Sequence, residues 1–319
     1  MFDRYWIMGF RATPLAYSLL FFLPFLLMGS ERTLGMKEMI SIENLKQHTR
    51  NIHFDRSPYD RYHELEQAAQ YIRGEFLKMG MEVKEDLFQW QGRFYKNIVA
   101  VKRGMTSPDK VFILGAHYDT VPGSPGADDN ASGIAVLLEV ARNIQAAPLG
   151  STLKLVTFSL EEYDYAGSTH YVEDARKGEE EILGMISLEM VGFTSLKQNY
   201  PHYLNPKEYP NVGDFVGIVA NDGSKTLMER VRRSFRAYIP KLPSEFLLVP
   251  GNGEGMEEAR LSDHSPFWDQ GFPALMVTDT AFLRNPNYHL PSDTIETLDF
   301  EFMRKVAIGI FYSILDLAK

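Results

Sequence analysis

The amino-acid sequence predicts an α/β protein, a mostly parallel twisted sheet covered by helices on both faces. Three observations carry that expectation. Short apolar runs of the kind a strand buried on both faces requires recur at residues 111–114, 153–160, 185–190, 215–220 and 273–277. Stretches with helical spacing separate several of them, at 132–146, 224–238 and 300–318. Strands alternating with helices favour a parallel sheet with helices on its faces, and neither a repeat nor a linker interrupts the pattern.

Composition narrows the chemistry before any motif does. The chain has 319 residues, 45% of them hydrophobic and 24% charged, enough to bury a large core. A formal net charge of -9 argues against nucleic acid as a partner, because phosphate affinity needs clustered Lys and Arg. Arg232, Arg233 and Arg236 read instead as one face of a surface helix. There is no cysteine, which excludes disulfides, thiolate metal sites, a thiol nucleophile and a lipidated N-terminal cysteine. Any metal must be held by His, Asp and Glu.

Taken in chain order, residues 1–30 read as a signal peptide or a membrane anchor. Arg4 and Arg11 form a basic leader, an apolar stretch interrupted by Pro24 follows, and Gly29 and Ser30 are small enough for a cleavage site. The stretch is at the lower limit for a spanning helix, so the reading is an exported protein, periplasmic or extracellular, with membrane attachment through this segment as the variant. Residues 31–319 then form one α/β domain. Within it, Leu65, Ala69, Ile72, Phe76 and Leu77 fall at helical spacing over 63–79, and Gly80 suits the helix stop. From Val83 to Val101 alternation and aromatics predict a strand pair turning at Gly92. Two segments, 193–214 and 244–261, read as long loops, and loops of that length are often functional. The first is rich in Tyr and Pro; the second carries Gly251, Gly253 and Gly255 but neither follows a clear strand nor opens a helix, so it is no phosphate cradle.

In open α/β sheets ligands bind beyond the carboxyl ends of the strands. After the run at 111–114 come His117 and Asp119, then Asp128, Asp129 and Asn130 opening a helix. After Leu160 come Glu161 and Glu162; the run at 185–190 delivers Glu189; after Val277 come Asp279 and His289. Each alone has an ordinary explanation. A single His is usually a hydrogen-bonded loop residue, Glu161-Glu162 could be solvated charge, and Asp128-Asp129-Asn130 could cap the next helix. Asn130-Ala131-Ser132 even matches a glycosylation acceptor. Charged groups that all follow buried strands are costly to desolvate unless paired or metal-bound, and their joint placement points to a metal site.

The segments GAHYDTVPGSPGADDNASGIAVLLEVAR, FSLEEYDYAGSTHYV, ISLEMVGF, SDHSPFWDQGFPALMVTDT and YHLPSDTIETLDF, five ordered blocks, closely resemble the di-zinc peptidase family of bacterial leucyl aminopeptidase and glutamate carboxypeptidase. The resemblance runs from about Ile42 to the C-terminus and implies the fold of the zinc-dependent exopeptidases. Carried over residue by residue, it implies two Zn²⁺ per chain, with Asp128 bridging, His117 and Glu189 completing one position, and Glu162 and His289 the other. It makes Glu161 the general base, and Asp119 the acceptor for the free ring N–H of His117. Relatives commonly carry Asp where this chain has Glu189, so that ligand arm is one methylene longer. Asp263 and His264 would support the site or contact substrate. The implied activity is an aminopeptidase acting on peptides, with a carboxypeptidase or dipeptidase on the same site as the alternative. A glutaminyl cyclase shares the fold but uses one zinc, and an inactive binding ectodomain would lack some ligands that are all present here.

Overall fold

The computed structural model describes residues 40–178 and 180–319; the leader read over residues 1–30 lies outside them. Eight strands form one mixed sheet in the order β1-β2-β4-β3-β5-β8-β6-β7. They are β1 (Glu82–Trp90), β2 (Arg93–Lys102), β3 (Ser107–His117), β4 (Ser151–Phe158), β5 (Glu181–Glu189), β6 (Val216–Asn221), β7 (Ser244–Val249) and β8 (Ala274–Thr278). The centre, β4-β3-β5-β8, is parallel throughout, and β6 pairs parallel with β7. Antiparallel pairing joins β1 to β2, β2 to β4 and β6 to β8. The predicted strand pair turning at Gly92 is β1 and β2, with Gly92 at a φ of +81°.

Seven α-helices accompany the sheet among the described residues: α1 (Ile42–Ile52), α2 (Tyr62–Lys78), α3 (Gly133–Ile144), α4 (Ala166–Ala175), α5 (Lys225–Tyr238), α6 (His264–Asp269) and α7 (Phe300–Leu317). No helix among the described residues is long and apolar enough to cross a membrane.

Successive strand residues point to opposite faces, so each central strand supplies two cores. On one face Val111 and Ile113 of β3, Val156 and Phe158 of β4, and Met185 of β5 pack with Tyr171 of α4 and Phe267 and Trp268 of α6. On the other, Phe112 lies under the Arg230 guanidinium of α5, 5.9 Å from the ring centroid, and Gly184 leaves room for Leu227. Helix α7 closes that layer. A Cβ on Gly309 would meet the Phe235 ring at 2.6 Å, so the α5–α7 approach depends on a glycine there.

The segment read as a loop from 244 begins as β7, an edge strand. Its residues Phe246-Leu247-Leu248-Val249 are a short apolar run, and the parallel partner β6 satisfies one edge of its backbone. Helix α1 starts at a cap that the polar stretch concealed, where Ser41 Oγ accepts the Asn44 N–H at 3.3 Å.

Candidate metal centre

Three parallel strands end side by side, β4, β3 and β5, and each hands over a polar side chain at its carboxyl end. The chain turns sharply there. Leu160, just before Glu161, has a φ of +59°; Met190, just after Glu189, +46°; and His289 itself +60°. Non-glycine residues in the left-handed region cost free energy that the surrounding structure must offset, and such strain gathers at functional sites.

The cage consists of two imidazoles and four carboxylates. His117 Nε2 lies 3.2 Å from Asp129 Oδ1, 3.4 Å from Glu189 Oε2 and 3.9 Å from Glu161 Oε2. His289 Nε2 lies 3.2 Å from Asp129 Oδ2 and 3.1 Å from Glu162 Oε2. One carboxylate, Asp129, thus presents one oxygen to each histidine. Two sets of potential ligands form, His117, Glu161 and Glu189, and Asp129, Glu162 and His289, and within each set the ligand atoms lie within 4.8 Å of one another.

A test of metal fit comes from the buried atoms. His117 Nε2, His289 Nε2 and Glu162 Oε1 are buried and engage in no hydrogen bond. Leaving them so would cost desolvation free energy unless a cation took them up. Donor atoms around a tetrahedral Zn²⁺, with bonds of about 2.0–2.1 Å, lie roughly 3.3 Å apart. The separations of 3.1 to 3.4 Å match that spacing. The residues fit a pair of nitrogen- and oxygen-bound metals.

The prediction for Asp128 does not hold. Its carboxyl group turns away from both imidazoles: Oδ1 accepts the Gly192 N–H at 2.9 Å, Oδ2 accepts the Asn285 amide at 2.7 Å, and the group faces Asp279. The cause is a kink inside the turn spanning Ala127–Ser132, where Asp129 and Asn130 leave helical geometry (φ -104° and -133°). The one-residue displacement puts Asp129 into the cage. The other predicted residues, His117, Glu161, Glu162, Glu189 and His289, come together as read from the sequence.

Asp119 sits below the cage. Its Oδ1 is 3.5 Å from His117 Nδ1 and accepts the Glu161 N–H at 3.1 Å, while Oδ2 accepts the Glu162 N–H at 3.3 Å. It therefore fixes the turn carrying both glutamates as well as facing the histidine. Glu189 is held by Ser262, whose Oγ donates to Oε2 at 2.9 Å. Asp263 is buried among Glu189, Glu161 and His117, but His264 turns away: its Nε2 pairs with the Ala259 carbonyl and its ring packs edge-on against Trp268. Asn130, the nominal glycosylation acceptor, is fully buried. It donates to the Leu188 carbonyl and accepts the Met190 N–H, tying the kinked turn to β5.

Two supports have no role in the sequence reading, being single residues in irregular chain. Asp293 accepts the N–H groups of Asp128 and Asp129 at 2.9 and 3.1 Å. Arg56, fully buried, donates to the carbonyls of Ile52, Tyr118, Pro125 and Gly126, and so clamps both ends of the loop that runs from His117 to Asp129. Gly126, at a φ of +58°, could hold no Cβ there without meeting Asp129 O at 2.3 Å.

Protonation in the cage follows from burial and crowding. Burial pushes Glu162 up to about 8 and raises Glu161 and Glu189, with neighbouring carboxylates adding to it. Burial opposes the charged form of His289 too, yet Asp129 and Glu162 outweigh it and carry the imidazole up to about 10. Asp129 goes the other way: burial would raise it, but both imidazoles hold it well below the usual carboxylate range.

Beside the cage opens a cavity of about 330 Å³, lined by Glu161, Glu189 and Tyr288 near the cage and by Tyr200, Tyr209 and Phe282 farther out. Both segments that the sequence analysis singled out contribute to its wall. Asp164, Glu245 and Glu258 line it beyond the cage, and among the described residues no Lys, Arg or His does.

The model of Peptidase family M28 matches residues 97–314. A relative called YfbL, from Escherichia coli (strain K12), is 34% identical over 79% of this chain and 80% of its own length. The solved LapA aminopeptidase of Legionella pneumophila has the same fold, with a TM-score of 0.71 at 21% identity, covering 91% of this chain and 75% of that one. A zinc aminopeptidase from Bacillus subtilis aligns with a TM-score of 0.59 at 26% identity, over 72% of this chain and 52% of that one. The chain spans about half the length of the curated relatives named as aminopeptidases. With a family model covering most of its length and a relative at this identity, the chain belongs to Peptidase family M28.

Proposed function

We propose that the protein is a zinc-dependent aminopeptidase that removes N-terminal residues from peptides, working after export if the leader acts as read. The observation that carries the choice of terminus is the wall of the cavity, which is acidic beyond the cage and has no Lys or Arg among the described residues. Such a wall offers nothing to receive a C-terminal carboxylate, whose recognition relies on a cation, and it does not oppose the free α-ammonium of a peptide's N-terminus.

His117, Asp129 and Glu189 would hold one Zn²⁺, and Asp129, Glu162 and His289 the second, so that Asp129 replaces Asp128 as the shared ligand. When bound, the pair lowers the pKa of a water and polarises the scissile carbonyl. The chain supplies the rest. Glu161, on the cavity wall and next to a ligand, is placed to take a proton from the attacking water and pass it to the leaving amine. Asp119 keeps the His117 ring and both glutamates in register, and Ser262 keeps Glu189 aimed. Tyr288, stacked on His289 at 3.7 Å, fixes that imidazole beside the substrate cavity.

The test combines metal analysis with three substrate sets: aminoacyl amides with a free amine, the same amides acetylated, and acetylated peptides with a free carboxylate. The expected result is about two zinc ions per chain and cleavage of the free-amine set alone. Cleavage of the acetylated peptides at their free carboxyl end would overturn the reading.

A further inference from the structure

The cavity reaches across the sheet farther than the metal centre requires. Register runs unbroken from Glu189 on β5 to Thr278 on β8, from Thr278 to Gly217 on β6, and from Gly217 to Glu245 on β7. Paired residues in neighbouring strands point to the same face. Glu189 and Glu245 therefore stand on one row, three strand spacings or roughly 14 Å apart at their Cα atoms. Between them Gly217 has no side chain, and that gap is part of the cavity. The parallel row of Met276, Val219 and Leu247 gives it an apolar floor.

Glu245 has no salt-bridge or hydrogen-bond partner among the described residues, and partial burial alone raises its pKa. Arg284, whose charge reaches Tyr200 as that of Glu245 does, is committed elsewhere. It donates to Gln198 Oε1 at 2.8 Å and to the Phe193 carbonyl, and it stacks over Phe215. Glu258, another acid of the outer wall, lies against the Tyr203 hydroxyl. A carboxylate left uncompensated at the end of an apolar, aromatic channel is a recognition feature, because it gains most from a ligand that brings its own positive charge.

We propose that Glu245 is a specificity-determining residue, and that the cavity selects an N-terminal residue with a long apolar stem and a cationic tip, lysine or arginine. The proposal rests on the aminopeptidase reading above. Tyr200, Tyr209 and the Met276-Val219-Leu247 floor take the methylene stem, and Glu245 takes the ammonium or guanidinium group. Leucine fills only the near part of the channel and leaves Glu245 unpaired. Norleucine matches the stem of lysine without the charge, so lysine against norleucine isolates the contribution of the carboxylate.

The experiment uses the zinc-loaded chain and has two arms. In the first, kcat/KM is measured for lysyl, arginyl, norleucyl and leucyl anilides. The expected lysine-to-norleucine ratio is about ten to a hundred, the scale of a charge-assisted hydrogen bond, and it falls toward one in Glu245→Gln. In the second, calorimetry follows binding of lysine amide and norleucine amide, which needs no turnover and should show the same ordering. Equal handling of lysine and norleucine by the native chain, or a ratio that Glu245→Gln leaves in place, overturns the proposal while cleavage itself leaves the aminopeptidase reading standing. If no free-amine substrate is cleaved and neither amide binds, both readings fall together.

Discussion

Asp128 and Asp129 are adjacent, both are buried, and the fold places them in opposite surroundings. Asp129 lies between two imidazoles, with an oxygen 3.2 Å from each, and is held ionised. Asp128 sits behind the cage against a second acid, Asp279; burial and that neighbour raise its pKa well above the usual range. Asp279 keeps more of its charge because Arg284 and the N–H groups of Phe193 and Ala281 support it, although burial still lifts it to about 6. One residue type thus does two jobs one position apart. In the cage a carboxylate is prepared to take cations; behind it, a shared proton lets two acids join the Asp129 turn to the loop that ends in His289. Asn285 bridges the same gap by donating to Asp128.

The sharpest way to break this comparison is to neutralise the cage member. Asp129→Asn removes the one carboxylate that faces both histidines, so zinc content should fall at both positions and activity should drop below the level of any other single change, with the fold retained. Metal analysis beside a circular-dichroism spectrum reads this directly. Retention of two zinc ions would show that Asp129 is not the shared ligand.

Next in size is Glu161→Gln, which keeps the shape of the side chain and removes its proton transfer. Zinc content should stay near native while kcat falls by about 10²–10⁴, the usual contribution of general acid–base catalysis. Glu162→Gln should instead lose metal, with activity following it. The two glutamates differ in the same way as the two aspartates, and loss of zinc in the Glu161 variant alone would exchange their roles.

The contrast also shows what a sequence can and cannot convey here. The apolar runs fixed where strands end, and strand ends fixed which elements carry His117, Glu161-Glu162, Glu189 and His289, because buried strands leave a strong compositional trace. The choice between Asp128 and Asp129 depends on backbone torsion. A regular helix start would present residue 128, while the kink at 129 and 130 presents the next. No periodicity encodes that kink. Strand β7 was hidden for another reason: its apolar run is short and follows Ser244-Glu245, so it resembles a loop until β6 is beside it. Arg56 and Asp293 act through backbone carbonyls and N–H groups, contacts for which any loop residue is a candidate until the chain is folded.

A smaller effect separates the cage from its surroundings by pH. In chelated protein, burial raises Glu162 to about 8, Asp263 to about 7 and Asp279 to about 6, so the native state binds protons more tightly than the unfolded chain. The stability these acids contribute is complete below about pH 4 and is lost as pH rises through their folded values. His289, raised to about 10, has the same sign above about pH 6.5. Asp129 has the opposite sign, but its window lies below about pH 4. Chelated protein should therefore show a falling Tm between pH 5 and pH 8. Zinc, which replaces those protons as the countercharge, should flatten the decline. A chelated protein that gains stability over the same range would contradict this account of the cage.

The smallest expected change is Asp128→Asn, and it is also the one that tests the correction most directly. Asparagine has the same size; its oxygen can still accept the Gly192 N–H, and its amide can donate to Asp279 in place of the shared proton. What it cannot do is accept from Asn285 with the atom that now carries hydrogens, so one buried hydrogen bond is lost. A buried donor left unpaired costs about 1–3 kcal/mol, which should appear as a lower denaturation midpoint. Zinc content should be unchanged, since no atom of Asp128 faces the metal positions, and kcat/KM should fall by about tenfold at most through a slight shift of the loop bearing His289. If Asp128→Asn emptied the zinc positions while Asp129→Asn stayed loaded, the turn would have to present its first aspartate after all, and the assignment of the shared ligand would revert to Asp128.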